Sequence, residues 1–192
     1  MDSAILLWIH QRATPALDVL FRWSSTLGTG PFCVALVLGA VLWHAVKRHR
    51  AQWMAWVTVG LSTLVLSTVI KLVVARPRPT LWPWMVSVSG FSFPSGHAIS
   101  SAAFFPLLGW MALRSRRRGG GGGGGSGGAL GYLLGLLLAA CVGIGRLYLG
   151  VHWPSDVLAG WALGAAQSGA AVWWLGRQEA DKHEERAPAS DS

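Results

Sequence analysis

Three polar stretches interrupt long apolar runs in this sequence, and each carries residues that can handle a phosphate group. The first contains Lys71 and Arg78, the second is the run from Ser95 to His97, and the third runs from Arg146 to Asp156. Arginine makes paired hydrogen bonds with phosphate oxygens, and lysine supplies a compact positive charge. Three cations close to two helix starts would form a site for a group that carries two or three negative charges.

Ser95, Gly96 and His97 come directly before an apolar run and predict the start of a helix. The first turn of a helix presents unpaired N–H groups and the positive end of the helix dipole, which together bind anions. Gly96 would let an anion approach the backbone, Ser95 would add a hydroxyl donor, and His97 could supply a proton. Taken alone, the segment fits an ordinary turn with a helix cap equally well.

His152 and Asp156 are four residues apart, with Pro154 between them. Proline favours the first helical position, so Asp156 would lie in the first turn and could reach back to the His152 ring. A carboxylate on one imidazole nitrogen fixes the tautomer and leaves the other nitrogen as a nucleophile or base. Taken alone, an acidic residue that satisfies the helix dipole explains this pair slightly better.

The composition predicts that these polar stretches belong to a membrane protein. Of the 192 residues, 52% are hydrophobic and 12% are charged, whereas a soluble domain carries about twice that charged fraction. The net charge of +8 then indicates anchoring at the cytoplasmic membrane surface rather than binding to nucleic acid. Cys33 and Cys141 lie in apolar runs and suggest neither a disulfide nor a metal site.

The hydropathy pattern predicts an all-α membrane helix bundle with five core transmembrane helices. The predicted spans are residues 32–46, 52–75, 97–113, 129–145 and 155–175. Residues 4–27 are predicted to form a pair of short interfacial helices. The alternative is one imperfect span, giving six, in which Asp18 and Arg22 would each cost about 2.5–3.5 kcal/mol.

The domain prediction is one membrane-embedded unit over residues 1–176. It includes a glycine-rich cytoplasmic linker at residues 119–128. A disordered charged tail is predicted over residues 177–192.

Charge asymmetry predicts the orientation of the bundle. The loops at residues 47–50 and 114–118 are short and strongly basic, so both should face the cytoplasm. Five spans then place the C-terminus in the cytoplasm and all three polar stretches on the outer face. Arg76, Arg78 and Arg146 are consequently basic residues on the unexpected side, and charges of this kind are functional by default.

The joint pattern resembles the signature of a known family. It consists of Lys71-x6-Arg78-Pro79, then Pro94-Ser95-Gly96-His97, then Arg146-x5-His152-x3-Asp156. These three parts are similar to those of the type 2 phosphatidic acid phosphatase superfamily, and the apolar spans fit its membrane branch. Gly145 is one departure, since the family often has serine before the arginine.

The resemblance implies a metal-independent phosphatase that needs no cofactor. In such an enzyme His152 would attack phosphorus and form a phosphohistidine, Asp156 would orient His152, and His97 would protonate the leaving oxygen. The implied phosphate-binding residues are Lys71, Arg78, Ser95, Gly96 and Arg146. Arg76 is not a motif position, and we expect it only to shape its loop.

The substrate implied by an outward-facing site is a membrane lipid with a phosphate or diphosphate headgroup. Small bacterial members that the whole chain resembles act on undecaprenyl diphosphate, phosphatidylglycerol phosphate or lipid A phosphates, and phosphatidic acid is a further alternative. The compact chain is most similar to the undecaprenyl-diphosphate phosphatases of the bacterial inner membrane, which serve cell-wall biogenesis. A transporter with basic outer loops and a lipid-binding protein without turnover are the competing classes.

Overall fold

A computed structural model describes residues 1–116 and 124–184, and within these residues the chain forms seven helices and no strands. They are α1 (Asp2–His10), α2 (Pro15–Thr26), α3 (Gly30–Val46), α4 (Arg50–Val74), α5 (Gly96–Arg116), α6 (Gly124–Tyr148) and α7 (Pro154–Glu184). The long connection from residue 75 to 95 has no regular secondary structure. This architecture confirms the predicted all-α class.

The segment before the first predicted span forms two short helices, as the sequence predicted. Pro15 occupies the first position of α2, and Thr14 caps the helix by accepting a hydrogen bond from the Leu17 N–H at 3.4 Å. A short break separates α2 from α3, and the two helix axes differ there by 48°. By length and composition, the two helices together could form one bent span.

Three further helices, α4, α5 and α6, are each long and apolar enough to cross a membrane. With the bent pair, the described residues therefore contain up to four candidate spans. α3 alone has only 17 residues, and α7 is not among the candidates although it has 31 residues. The predicted count of five spans is not confirmed and stays a prediction.

The apolar outer surface of α4 suits contact with lipid. Its exposed side chains include Leu64, Leu72 and Val73, whose exposed fractions are 64%, 67% and 78%. Exposed apolar residues in a continuous stripe would be unfavourable in water, but lipid tails are as apolar as leucine.

α5 lies between α6 and α7, and small residues let the three backbones approach closely. A methyl group on Gly131 of α6 would lie 2.0 Å from the Gly109 carbonyl oxygen of α5. A methyl group on Gly164 of α7 would lie 2.3 Å from the Ile99 carbonyl oxygen. Such contacts are typical of packed membrane helices, and the contact at Gly164 holds α7 against the N-terminal part of α5.

The glycine-rich segment differs from the predicted linker at its C-terminal end. α6 begins at Gly124, so residues 124–128 are helical. Gly128 packs against α5, where a methyl group in its place would lie 2.9 Å from Trp110 Nε1. The glycines at residues 124–128, whose composition suggested a flexible linker, therefore belong to α6, and Gly128 allows close packing against α5. The rest of the predicted linker, residues 119–123, lies outside the described residues.

The predicted disordered tail is also partly helical, because α7 continues to Glu184. Glu179 forms an ion pair with Arg114 of α5, and the Arg177 guanidinium lies 4.5 Å from the centre of the Trp173 ring. The ion pair attaches the end of α7 to α5, whereas the contact of Arg177 with Trp173 lies within α7. The remainder of the tail, residues 185–192, lies outside the described residues.

Candidate active site

The three polar stretches meet where α5 and α7 begin. The Ser95 N–H donates a hydrogen bond of 3.0 Å to the Asp156 carbonyl oxygen. Arg78 Nη1 donates one of 2.8 Å to the Val151 carbonyl oxygen. The connection before α5 and the connection before α7 are thus joined through their backbones.

His152 is almost completely buried, with 2% of its surface exposed, and its two ring nitrogens face different groups. Nε2 lies 3.1 Å from Arg78 Nη1. Because a guanidinium can only donate, Nε2 must accept, and the ring proton lies on Nδ1. Nδ1 is 3.5 Å from Asp156 Oδ2, longer than a well-formed hydrogen bond, so this contact is mainly electrostatic.

The protonation state of His152 follows from its surroundings. Burial lowers the pKa of His152 to about 4; the nearby Asp156 carboxylate opposes this shift, and the charges of Arg146 and Arg78 add to it. The imidazole is therefore neutral at neutral pH, and Nε2 keeps the lone pair that a nucleophile needs.

Lys71 and Arg78 come together at one carbonyl oxygen. The oxygen of Phe91 accepts from Lys71 Nζ at 3.0 Å and from Arg78 Nη2 at 3.3 Å. Arg78 also donates to the carbonyl oxygens of Ser89 and Gly90, each at 2.9 Å. These backbone contacts hold the guanidinium in place beside His152.

The start of α5 provides an uncommitted donor next to these cations. Ser95 is fully buried, and its hydroxyl has no hydrogen-bond partner among the described residues. A methyl group on Gly96 would lie 4.0 Å from Lys71 Cε, so the first turn of α5 faces the lysine. An anion bound at this helix start would supply the partner that the Ser95 hydroxyl lacks.

Arg146 lies in the last turn of α6 and is also buried, with 2% of its surface exposed. Its Nη1 donates a 2.5 Å hydrogen bond to Ser25 Oγ of α2. Its Nε has no partner among the described residues. A buried guanidinium with a free donor is unfavourable unless a further acceptor is available, and a phosphate oxygen is one such acceptor.

Gly28, in the connection between α2 and α3, determines where His97 can lie. A methyl group on Gly28 would lie 2.7 Å from His97 Cδ2. The His97 ring therefore packs directly against the connection between α2 and α3. Only glycine leaves enough room for the ring in this position.

The departure at Gly145 has a structural reason. A methyl group at this position would lie 2.9 Å from Ser24 Oγ and 3.2 Å from Phe21 Cδ1. α2 thus occupies the space that a serine side chain would take. The same helix offers a hydroxyl to Arg146 through Ser25.

The expectation that Arg76 only shapes its loop was wrong. Arg76 Nη1 donates to Asp156 Oδ1 at 2.8 Å, and the carboxylate is fully buried. Arg76 also donates to Ser155 Oγ at 2.7 Å and to Asp2 Oδ2 at 3.0 Å. The other carboxylate oxygen of Asp156 accepts from the Trp153 N–H at 2.8 Å. Arg76 is thus the counter-ion of the carboxylate that faces His152.

The sequence contained one signal for Arg76 and none for Asp2. Arg76 stood out as a basic residue on the predicted outer face, in the repeat Arg-Pro-Arg-Pro. Asp2 lies in α1, far from every motif in the sequence. Within residues 1–116 and 124–184, no group of three His, Cys, Asp or Glu side chains is placed to hold a metal ion.

Residues 52–180 match the family model of the PAP2 superfamily. The chain belongs to this superfamily. The match covers the three motifs and confirms the resemblance seen in the sequence. Membership makes the chain a hydrolase of the lipid phosphatase class, and its apolar helices fit the membrane PAP2 proteins.

Two PAP2 relatives and one solved structure are informative. The chain is 29% identical to phosphatidylglycerophosphatase B of Bacillus subtilis over 152 residues, which are 78% of this chain and 71% of the relative. It is 33% identical to the undecaprenyl-diphosphatase of Sulfolobus acidocaldarius over 129 residues, which are 62% of this chain and about half, 53%, of the relative.

The solved structure is the crystal structure of the first transmembrane PAP2 type phosphatidylglycerolphosphate phosphatase from Bacillus subtilis. It superposes with a TM-score of 0.77 and 26% sequence identity, covering 92% of this chain and 85% of the other. The helical arrangement described above is therefore a membrane PAP2 fold.

Proposed function

We propose that this PAP2 protein hydrolyses the phosphate or diphosphate headgroup of a membrane lipid through a phosphohistidine on His152, without a metal ion. The observation that carries the proposal is the environment of this one ring. Nε2 is unprotonated and faces Arg78, while Nδ1 faces Asp156. A neutral imidazole with a fixed tautomer is suited to attack an electron-poor phosphorus atom.

The reaction would proceed in two displacements at phosphorus. The phosphoryl group replaces Nε2 as a partner of Arg78, Nε2 forms the bond to phosphorus, and the bond from phosphorus to the leaving oxygen breaks. His97 donates its proton to that oxygen, so it must be protonated when the lipid binds. Asp156 stabilises the positive charge that develops on His152. Water, deprotonated by His97, then attacks phosphorus, releases inorganic phosphate and restores neutral His152.

Stabilisation of the transition state falls to the groups that surround His152. Lys71, Arg78 and Arg146 would neutralise the phosphoryl oxygens, and the Ser95 hydroxyl and the Gly96 N–H would donate to them. Donors fixed in advance in a water-poor site make the largest contribution to many enzymatic reactions. The unpartnered Ser95 hydroxyl and Arg146 Nε support this assignment.

An apolar groove supports a lipid substrate. It has a volume of about 480 Å³, runs between α3 and α4, and ends at Gly96 and His97. Val34, Leu38 and Leu64 line the groove, and their exposed fractions are 57%, 62% and 64%. A lipid tail could therefore enter sideways from the bilayer while its headgroup reaches the start of α5.

Within this class, undecaprenyl diphosphate is our first choice of substrate. The groove is one continuous cleft, which suits the single chain of a polyprenyl lipid. Phosphatidylglycerophosphate is the second choice because of the Bacillus subtilis relative, and phosphatidic acid and lipid A phosphates are further candidates. Turnover of all four lipids, measured side by side in one detergent, distinguishes them.

Phosphate release by purified protein tests the catalytic assignment. We expect wild type to release phosphate in the presence of EDTA and His152→Ala to release none, with both proteins showing the same thermal unfolding. Equal release by the two proteins would reject the role of His152. Lipid binding without release by wild type would instead favour a transporter or a lipid-binding protein.

Filling the groove tests the tail site. Gly30 lines the groove, and no heavy atom of a neighbouring element lies within 4 Å of a Cβ atom placed at this position. Gly30→Trp should raise KM for a long-chain substrate and leave a short-chain phosphate ester unaffected. Gly176→Trp is the matched control, since Gly176 has equal room and lies outside the groove. An equal effect on both substrates would argue against a tail in this groove.

We further propose that the site faces the outside of the bacterial inner membrane and that the C-terminus is cytoplasmic. The basic loop at residues 47–50, at the opposite end of the bundle from the site, supports this orientation. In a variant without Cys33 and Cys141, an impermeant thiol reagent should label Ser87→Cys in intact cells. Arg50→Cys should react only after permeabilisation, and the reverse pattern would overturn the orientation.

A further inference from the structure

A second cavity lies at the opposite end of the bundle from the catalytic residues. It has a volume of about 620 Å³ and is bounded by the C-terminal parts of α3, α5 and α7 and the N-terminal part of α4. The catalytic groups lie where α5 and α7 begin, whereas this cavity involves Arg114 near the end of α5 and Glu179 near the end of α7. The two sites therefore lie at opposite ends of the helix bundle.

The cavity combines apolar walls with a basic, aromatic rim. Leu36 and Leu108 contribute to the walls. At the rim, Lys47 Nζ lies 5.3 Å from the centre of the Trp43 ring, and the Arg114 guanidinium lies 4.5 Å from that of Trp110. Arg114 is paired with Glu179, so the described lining carries two permanent cations and one carboxylate.

Two buried polar atoms in the lining have no hydrogen-bond partner among the described residues. Trp56 is fully buried, and its Nε1–H donates to no acceptor. His44 Nδ1 is likewise buried without a partner. Most buried polar groups in proteins are hydrogen-bonded, so an exception in a cavity wall points to a ligand atom.

We propose that this cavity binds a phospholipid with an anionic headgroup, taken from the leaflet opposite the catalytic site. An acyl chain would lie against the apolar walls, the headgroup phosphate would lie near Lys47, and the Trp56 N–H would donate to an ester carbonyl oxygen. A small soluble anion would gain nothing from the apolar walls. A zwitterionic lipid would gain less from the net positive rim.

Gly39 offers a way to fill the cavity without straining the fold. It lines the cavity, and a Cβ atom placed at this position meets no heavy atom of a neighbouring element within 4 Å. Gly39→Phe should therefore place its ring in the cavity. Gly176→Phe is the matched control, because Gly176 has equal room and does not line the cavity.

The experiment uses the full chain in nanodiscs with phosphatidylglycerol that carries a photoreactive diazirine on one acyl chain. Adducts are mapped by mass spectrometry. We expect adducts within residues 35–47 and 108–114, more abundant than with the matching phosphatidylcholine probe.

Lys47→Ala should reduce the yield of these adducts about fivefold, the factor expected for one basic residue beside an anionic lipid. Arg50→Ala removes the same charge from the same turn outside the cavity, and should leave adduct yield unchanged.

Three results would overturn the proposal: equal adducts with both lipids, no decrease in Lys47→Ala, or adducts confined to the groove between α3 and α4. If Gly39→Phe fails to fold, as judged by thermal unfolding, the comparison of adduct yields in Lys47→Ala and Arg50→Ala still tests the proposal. The readout does not depend on turnover, so it stands apart from the proposed phosphatase reaction.

Discussion

Arg76 offers the sharpest test of how Asp156, the proposed catalytic carboxylate, is held. Arg76→Ala removes the guanidinium that donates to Asp156 Oδ1 at 2.8 Å and leaves that buried oxygen without its counter-ion. A hydrogen bond to a charged group contributes about 1.5–3 kcal/mol. If this loss falls on the transition state, kcat should decrease about 10- to 150-fold, since each 1.36 kcal/mol corresponds to a factor of ten.

The assay is steady-state phosphate release, with kcat and KM determined separately. Arg76 holds Asp156 and is assigned no contact with the substrate, so KM should change less than about twofold. Asp2→Ala provides a graded control because it removes only one outer partner of Arg76. Both side chains of the Arg76–Asp2 ion pair are partly exposed. Loss of this pair should therefore cost up to about 1 kcal/mol, or about fivefold in kcat.

A double-mutant cycle decides whether Arg76 acts through Asp156. In the Asp156→Asn background, Arg76→Ala should have little further effect, because the interaction that it removes is already weakened. Activity of Arg76→Ala within twofold of wild type would refute the reasoning. So would an equal decrease in both backgrounds, which would mean that Arg76 acts elsewhere.

Three further predictions concern His152, Gly28 and Gly145. Since burial lowers the pKa of His152 to about 4, kcat/KM should decrease on acidification with an inflection near pH 4. The stability that neutral His152 contributes to the folded protein should be complete above pH 6.5 and decline toward pH 4. Gly28→Ala should lower kcat about 5- to 150-fold, because a methyl group 2.7 Å from His97 Cδ2 displaces the ring at an overpacking cost of about 1–3 kcal/mol. Gly145→Ser should lower Tm by about 2–12 °C through its clash with Ser24, and Ser24→Gly should restore part of the loss.

Each of these predictions has a clear contrary result. An inflection near pH 6.5 would show that His152 titrates as an exposed imidazole. Full activity of Gly28→Ala would show that His97 acts from another position. An unchanged Tm in Gly145→Ser, measured by calorimetry in detergent, would show that α2 moves aside without cost.

The sequence predicted the features that depend on local patterns. Apolar runs predicted the helices, and the Ser95–His97 and His152–Asp156 patterns predicted two helix starts, which the structure places side by side. The role of Arg76 could not be predicted, because its partners Asp156 and Asp2 come together only in the folded chain. The helical end of α7 was also missed, since its charged composition resembles that of a tail until the Arg114–Glu179 ion pair is known.

The predicted count of five spans is not confirmed, and the composition of α7 shows why hydropathy alone does not decide it. Hydropathy measures how apolar a segment is, whereas a helix enclosed by other helices needs fewer apolar residues than one facing lipid. α7 packs against α5 through Gly160 and Gly164 and contributes buried polar residues such as Asp156 and Ser168. Its composition therefore reflects its neighbours as well as the bilayer.

The glycine contacts divide the bundle into two parts with different freedom to evolve. α5, α6 and α7 meet backbone against backbone, so a larger residue at Gly109, Gly131 or Gly164 would disturb the geometry of the proposed catalytic groups. A Cβ atom at Gly30 or Gly39 of α3 would meet no heavy atom of a neighbouring element within 4 Å, so we expect these positions to accept larger side chains. Substitutions in α3 can therefore change which lipid tail is accepted without altering the proposed reaction. We expect the range of lipid substrates to change faster in evolution than the reaction mechanism.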